Sequence, residues 1–488
     1  AAARALHWAA PMAHATLLRP LLALSLLLAA GCHTGMNDVG AGGSPGGGGD
    51  LGATPGGAQD IGYARELIEM GQVPPADVIS VEGLLSEHDL PTLGPPCDSL
   101  LCSRPALAVA PSIETGETAW WLHLGLTSGL PADFERPPVD LVVAIDKSSS
   151  MSIDMIETTE AVARLIGKLG ADDRLAVLTF DDTVSELHPL GPVEDAAALA
   201  AAVRAIPPVG GWNLDQAVAR AYDIAAAAGG EGRLRRVMVL SCGYPALAAD
   251  YSDSFSQMVH EGARQGIGLS FFGVLLGYSD QLGDLLGAAH GGSYYYLDSL
   301  ARVVEVFDHD LDFMITPLAY DLRFALEVGK GFRIERVYGI PGDEAGAPSA
   351  ELEVATAFLS RRRGGLVARL SRVGEDAASL GSVALEYRPE PALGYTAAEE
   401  QVAEIAAPDG DDPHYASPGV RKAAALVNQA EGMIRACAAY HAGDPASAAD
   451  ILDRLLELLR ADAAALDDSD LAAEVALVEK LRDNVGAP

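Results

Sequence analysis

Apolar positions follow two rhythms along this chain, and the places where one gives way to the other mark its organisation. The densest run in the middle is Val139–Ile145, written VDLVVAI. Near-continuous apolar character over that length predicts a strand covered on both faces, as in a parallel sheet. Arg174–Phe180, Arg236–Ser241, Ile267–Leu276 and Ser293–Leu297 predict further strands, with Thr183–Leu190 as an edge strand. Helical spacing lies between them. From about Ile153 to Leu169 the residues Val162, Leu165, Ile166 and Leu169 share one face. Leu214–Ala228 and Leu300–Asp312 predict two more helices. Strand and helix alternate across residues 137–314, which predicts an α/β fold with a doubly wound, mostly parallel sheet.

On either side the pattern returns to extended structure. Residues 61–136 open with a short amphipathic helix near Tyr63–Met70 and continue into strand-like sequence around Trp120–Leu126, both tryptophans reading as core. Residues 315–400 predict strands at Ala319–Val328, Phe332–Val337, Gly365–Arg372 and Val383–Tyr387. Together these flanks predict one β-sandwich interrupted by the α/β segment. Residues 415–488 are rich in Ala and Leu and predict helices. Pro445–Ala464 carries a stripe of Ile451, Leu455, Leu458 and Leu459, and Asp444 before Pro445 is a helix-start signal.

Composition narrows the function. The chain has 488 residues, with 68 acidic against 33 basic side chains and a net charge of −35. Phosphate recognition needs a basic face, so nucleic acid is excluded as a partner. The N-terminus reads as an address rather than a fold. Arg19 precedes an apolar run from Leu21 to Ala30, too short to span a bilayer, and residues 1–31 read as a signal peptide beginning at Met12. Leu28-Ala29-Ala30-Gly31-Cys32 resembles a bacterial lipobox, which implies lipidation of Cys32 and anchoring in the cell envelope. Ordinary signal-peptidase cleavage nearby is the alternative. No Asp follows Cys32, which fits an outer-membrane location. Residues 32–60 are dominated by Gly and predict a flexible tether. In an exported protein Cys97 and Cys102 could close a small disulfide loop, while Cys242 and Cys437 read as buried thiols.

The chemistry sits after the first strand of the α/β segment. Asp146, Ser148 and Ser150 form D-x-S-x-S at its carboxyl end, where one carboxylate and two hydroxyls can converge on a hard cation such as Mg²⁺. This pattern resembles the first loop of a von Willebrand factor A (VWA) domain, whose metal-ion-dependent adhesion site begins this way. The segment Ile61–Met70 with Val81–Leu85 is similar to the stretch preceding the VWA domain in bacterial VWA lipoproteins often labelled calcium-activated chloride channel homologues. That label has no support here as channel activity, because the sequence has no membrane-spanning run to form a pore.

The resemblance implies two further loops, and both depart from the pattern. Where the second loop carries Thr after two glycines, Gly210-Gly211-Trp212-Asn213 places Trp212. Where the third carries Asp, Ser241-Cys242-Gly243 places Cys242. Trp brings no ligand oxygen, and a thiol is soft, so Mg²⁺ would be held weakly if at all. A softer ion such as Zn²⁺ on Asp146 and Cys242 is the minor alternative. Two readings remain for the face: Trp212, with Asn213 and Cys242, as an apolar anchor for a protein partner, or Trp212 folded over the metal position in a scaffold. Catalysis is not expected. The chain has no G-x-S-x-G elbow, no P-loop and no recognisable His triad, although Cys242 on a strand-end turn superficially resembles a catalytic thiol.

Overall fold

The computed structural model describes residues 51–230, 232–242, 252–274, 280–340, 351–373, 379–395, 399–406 and 412–486. The expected leader, Cys32 and the first part of the expected tether lie outside the described residues. The described chain opens with β1 (Leu51–Pro55) and β2 (Gly57–Ala58), then α1 (Gly62–Glu69), α2 (Val81–Ser86), β3 (Leu101–Pro111) and β4 (Thr118–Ser128).

The α/β segment follows. Its strands are β5 (Val139–Asp146), β6 (Arg174–Phe180), β7 (Val184–Gly191), β8 (Leu234–Ser241), β9 (Gly268–Val274) and β10 (Ser293–Leu297). Its helices are α3 (Met155–Lys168), α4 (Ala196–Arg204), α5 (Leu214–Ala227), α6 (Ser252–Arg264), α7 (Asp280–Ala288), α8 (Leu300–Val304) and α9 (Leu311–Met314). The sheet order is β2-β10-β9-β8-β5-β6-β7, parallel throughout except for the edge pair β6–β7. Every residue of β5 is buried, because helices cover both faces. Leu141, Val143 and Ile145 pack with α3, α4 and α8 on one side. Val142 and Ala144 pack with α5, α6 and α7 on the other. Each fully buried Val, Leu or Ile contributes roughly 1.5–3 kcal/mol, so this central strand fixes the position of its own carboxyl end firmly.

The flanking strands are β11 (Pro317–Val328), β12 (Phe332–Tyr338), β13 (Glu351–Ser360), β14 (Gly365–Arg372), β15 (Ser379–Pro389), β16 (Glu399–Ala406) and β17 (His414–Tyr415). With β1, β3 and β4 they form one antiparallel sheet of ten strands rather than two separate ones. The sheet folds over a single core in which Trp120, Leu122 and Leu124 of β4 meet Leu322 and Phe324 of β11 and Leu385 of β15. The edges approach each other as well: Gln401 Nε2 of β16 donates to the Leu101 carbonyl of β3 at 2.5 Å.

The expected tether ends earlier than its glycines suggested. β1 pairs with both β4 and β13, and β2 adds in parallel to β10. A Cβ at Gly52 would collide with the Arg362 carbonyl, and one at Gly56 would stand 2.7 Å from the Gly292 carbonyl. These glycines are present for close backbone approach, not for flexibility.

Three helices finish the chain: α10 (Pro418–His441), α11 (Pro445–Leu466) and α12 (Ser469–Gly486). Asp444 caps α11 by accepting from Ser447 N at 3.0 Å, as expected of an Asp placed before Pro445. Ile451, Leu455 and Leu459 join a core that also takes in Leu67 of α1, Leu84 of α2 and Trp121 of β4. The helical segment is therefore continuous with the body. A buried polar knot reinforces it: Glu474 of α12 accepts from Arg65 of α1 at 2.6 Å, contacts His88 Nε2 at 3.1 Å and accepts from Gln429 of α10.

Candidate functional site at the carboxyl end of the parallel sheet

β5 lies between β6 and β8, and the chain crosses from one side of it to the other between β7 and β8. The carboxyl ends of β5 and β8 thus stand where the strand order reverses, the position at which open parallel sheets bind ligands. Asp146, the last residue of β5, is fully buried there. Its Oδ1 accepts from Ser148 N at 2.8 Å and its Oδ2 accepts from Ser241 Oγ at 2.6 Å. Burial pushes its carboxyl above the ordinary range, and these hydrogen bonds work against that rise.

The two serines face each other. Ser148 Oγ and Ser150 Oγ are 2.7 Å apart, and Ser150 Oγ is 3.2 Å from Cys242 Sγ. Cys242 Sγ stands 3.8 Å from Asp146 Oδ2. Trp212 closes the other side. Its indole is half-buried against the core beneath α5, and Nε1 points at Ser241 Oγ from 3.4 Å. A relay thus runs from the indole N–H through the Ser241 hydroxyl to the carboxylate. Of the two readings left open for Trp212, the geometry has the indole folded into the site, not projecting as an anchor. Asn213 is spent as the N-cap of α5, accepting from Gln216 N at 3.2 Å. Ser241 stands in the third-loop stretch Ser241-Cys242-Gly243 but was given no role from the sequence.

Neighbouring loops hold this arrangement. Val209 N donates to the Lys147 carbonyl at 2.6 Å, and Ser149 N donates to the Gly210 carbonyl at 3.1 Å. Gly210 has φ +84°. Gly211 N donates to Asp182 Oδ2 at 2.8 Å. Lys147 ion-pairs with Asp181 and holds that carboxyl down at about 2. Cys97 and Cys102, far along the chain from this site, are joined in a disulfide, while Cys242 and Cys437 are buried thiols.

These residues match a recorded family. The model of the von Willebrand factor type A domain matches residues 140–309. That stretch is a VWA domain. Curated relatives are named only as uncharacterized: YfbK of Escherichia coli (strain K12) is 24% identical over 277 residues, covering 54% of this chain and 47% of that protein. The protein sll0103 of Synechocystis sp. is 32% identical over 109 residues, covering 22% of this chain and 26% of that protein. The chain thus spans less than half the length of either. Among solved structures, the von Willebrand factor type A protein from Catenulispora acidiphila is 18% identical, with a TM-score of 0.49 over 77% of this chain and 88% of that one.

VWA domains can hold a metal ion at this position, so the donors present here must be tested against one. They fit poorly. Asp146 already has a hydrogen-bond donor on each oxygen, the serine hydroxyls are bonded to one another, and Trp212 offers an N–H donor where an oxygen acceptor is needed. Cys242 supplies a soft sulfur in a site otherwise suited to hard cations. Glu87, His88 and Glu474 also converge closely enough to hold an ion. The Arg65 guanidinium pairs with both carboxylates there and supplies the positive charge itself.

Proposed function

We propose that this chain is an envelope-anchored lipoprotein that binds another protein, as an adhesion or scaffold module, through the carboxyl-end face of its VWA domain. It does so without catalysis and without a resident divalent cation. VWA domains generally mediate protein–protein interaction or adhesion, which supports the binding role. The single observation behind metal independence is the relay from Trp212 through Ser241 to Asp146, which satisfies with hydrogen bonds the carboxylate a cation would otherwise neutralise. The absence of catalysis is supported by the neighbours of Cys242. A buried thiol beside a carboxylate is the reverse of the electropositive setting that activates cysteine. Contact through the C-terminal helices alone is less well supported, because their apolar stripes are spent on the body.

Thermal unfolding in chelator and then in millimolar Mg²⁺, Mn²⁺ or Ca²⁺ tests the reading. A cation at a hundred times its Kd would add about 2.7 kcal/mol of stability. The expected result is no shift. A clear rise that Asp146→Ala abolishes would establish a working metal site and remove the metal-independent reading.

A further inference from the structure

The loops around the relay carry a second feature. Ile153, two residues before α3, and Ile156, in its first turn, are 76% and 68% exposed, and Val209 in the facing loop is 45% exposed. Asp146–Ser152 and Val209–Gly210 are tied by the backbone bonds of Lys147 and Ser149, so these side chains belong to the same end of the sheet. Large aliphatic side chains this exposed, gathered at one end of a parallel sheet, mark an interaction surface. Its charge is one-sided. Asp154 and Glu157 alternate with the two isoleucines, and Asp182 stands on the neighbouring turn. Among the described residues of these loops the cation is Lys147, already paired with Asp181. Asp154 is poorly accommodated: its Oδ2 is buried without a hydrogen-bond partner, and burial together with Glu157 and Glu66 pushes its carboxyl up to about 6.

A face centred on a divalent cation attracts carboxylates. A face with its cation position closed, and ringed by carboxylates, attracts the opposite charge. We propose that this surface receives a protein segment in which an apolar side chain sits beside Lys or Arg. The apolar group covers Ile153, Ile156 and Val209, and the cation meets Glu157 in the negative field to which Asp154 adds. This rests on the reading of the carboxyl-end face as the contact surface, and adds the chemistry of the partner.

The full chain would be titrated by fluorescence anisotropy with three labelled synthetic peptides of equal length, alternating Leu with Lys, Ser with Lys, or Leu with Glu. The Leu/Lys peptide is expected to bind at least about tenfold more tightly than the Ser/Lys peptide, since a few desolvated apolar contacts carry most interface affinity. The pair Ile153→Ser and Ile156→Ser should cost about tenfold. Asp154→Asn with Glu157→Gln should weaken binding several-fold and flatten its salt dependence. Asp98→Asn with Glu117→Gln, on distant exposed turns, should change nothing. Equal loss in that distant pair, or none in the isoleucine pair, would mean general attraction to an acidic protein and overturns the proposal. Binding of the Leu/Glu peptide in Mg²⁺, lost in Asp146→Ala, overturns it too but keeps the face as the contact surface. Binding of the peptides that no substitution on this face alters removes both.

Discussion

Cys242→Asp restores to the third loop the residue type the VWA pattern carries there, and its effect can be estimated from the geometry. Cys242 Sγ lies 3.8 Å from Asp146 Oδ2. A carboxylate in its place would put two negative charges at about that separation, in a region where Asp146 is wholly buried. At an effective dielectric of about 20 the repulsion is about 4 kcal/mol. The relay from Trp212 and Ser241 brings hydrogen-bond donors but no compensating positive charge. In chelator at neutral pH the variant should therefore be about 3–5 kcal/mol less stable than the parent in urea unfolding. The deficit should shrink as the pH falls, because like charges raise both carboxyl pKa values and one proton relieves the repulsion. Millimolar Mg²⁺ should recover most of the loss in the variant and do nothing to the parent. If the variant is as stable as the parent in chelator and ignores Mg²⁺, Cys242 does not occupy the position assigned to it and the account of the site fails.

Two other expectations concern the body. His123 of β4 is fully buried, and burial pushes its pKa down to about 4 against the opposing effect of a backbone hydrogen bond with Gly364. Its charged form is favoured in the unfolded chain, so the penalty is absent above about pH 6.5, grows as the pH falls and is complete below about pH 4, amounting to about 3 kcal/mol. Urea midpoints between pH 7 and 4.5 should fall less steeply in His123→Leu than in the parent. Glu474→Ala strips the acceptor from His88 and Gln429 and leaves Arg65 with Glu87 alone, and should cost about 1–3 kcal/mol, the range for leaving buried polar groups unsatisfied. Loss under about 1 kcal/mol would mean the knot adds little to the join of α12 with α1.

Much of the α/β segment was legible because its strands are buried on both faces. Arg174–Phe180 and Ser293–Leu297 fall where their apolar runs end. α4 was missed because Ala196–Arg204 is mostly alanine, which offers no contrast between faces; α6 was missed although Phe255, Met258 and Val259 recur at helical spacing, because the rest of Ser252–Arg264 is polar or small. β13 and β16 escaped for a different reason. Glu351 and Glu353 alternate with Leu352 and Val354, and a strand with one wet face in an acidic chain resembles a loop. In the site, Asp146, Ser148, Ser150 and Cys242 lie together; the first three stand at D-x-S-x-S spacing, whereas Cys242, 92 residues beyond Ser150, was reachable only through the resemblance. The direction of the Trp212 ring depended on Ser241, 29 residues further along the chain, and on the packing of α5 against the sheet.

The placement of β1 has a mechanical consequence. The strand enters between β4 and β13, and a single residue, Gly56, separates it from β2 on the edge of the VWA sheet. A pull delivered at residue 51 would reach both sheets within eight residues, before any helix or loop could yield. Antiparallel ladders loaded along the strand must shear several hydrogen bonds together, whereas a terminal helix can peel away one turn at a time. If the chain hangs from its N-terminus, tension should be carried by the whole body at once, and the VWA face should keep its shape under load.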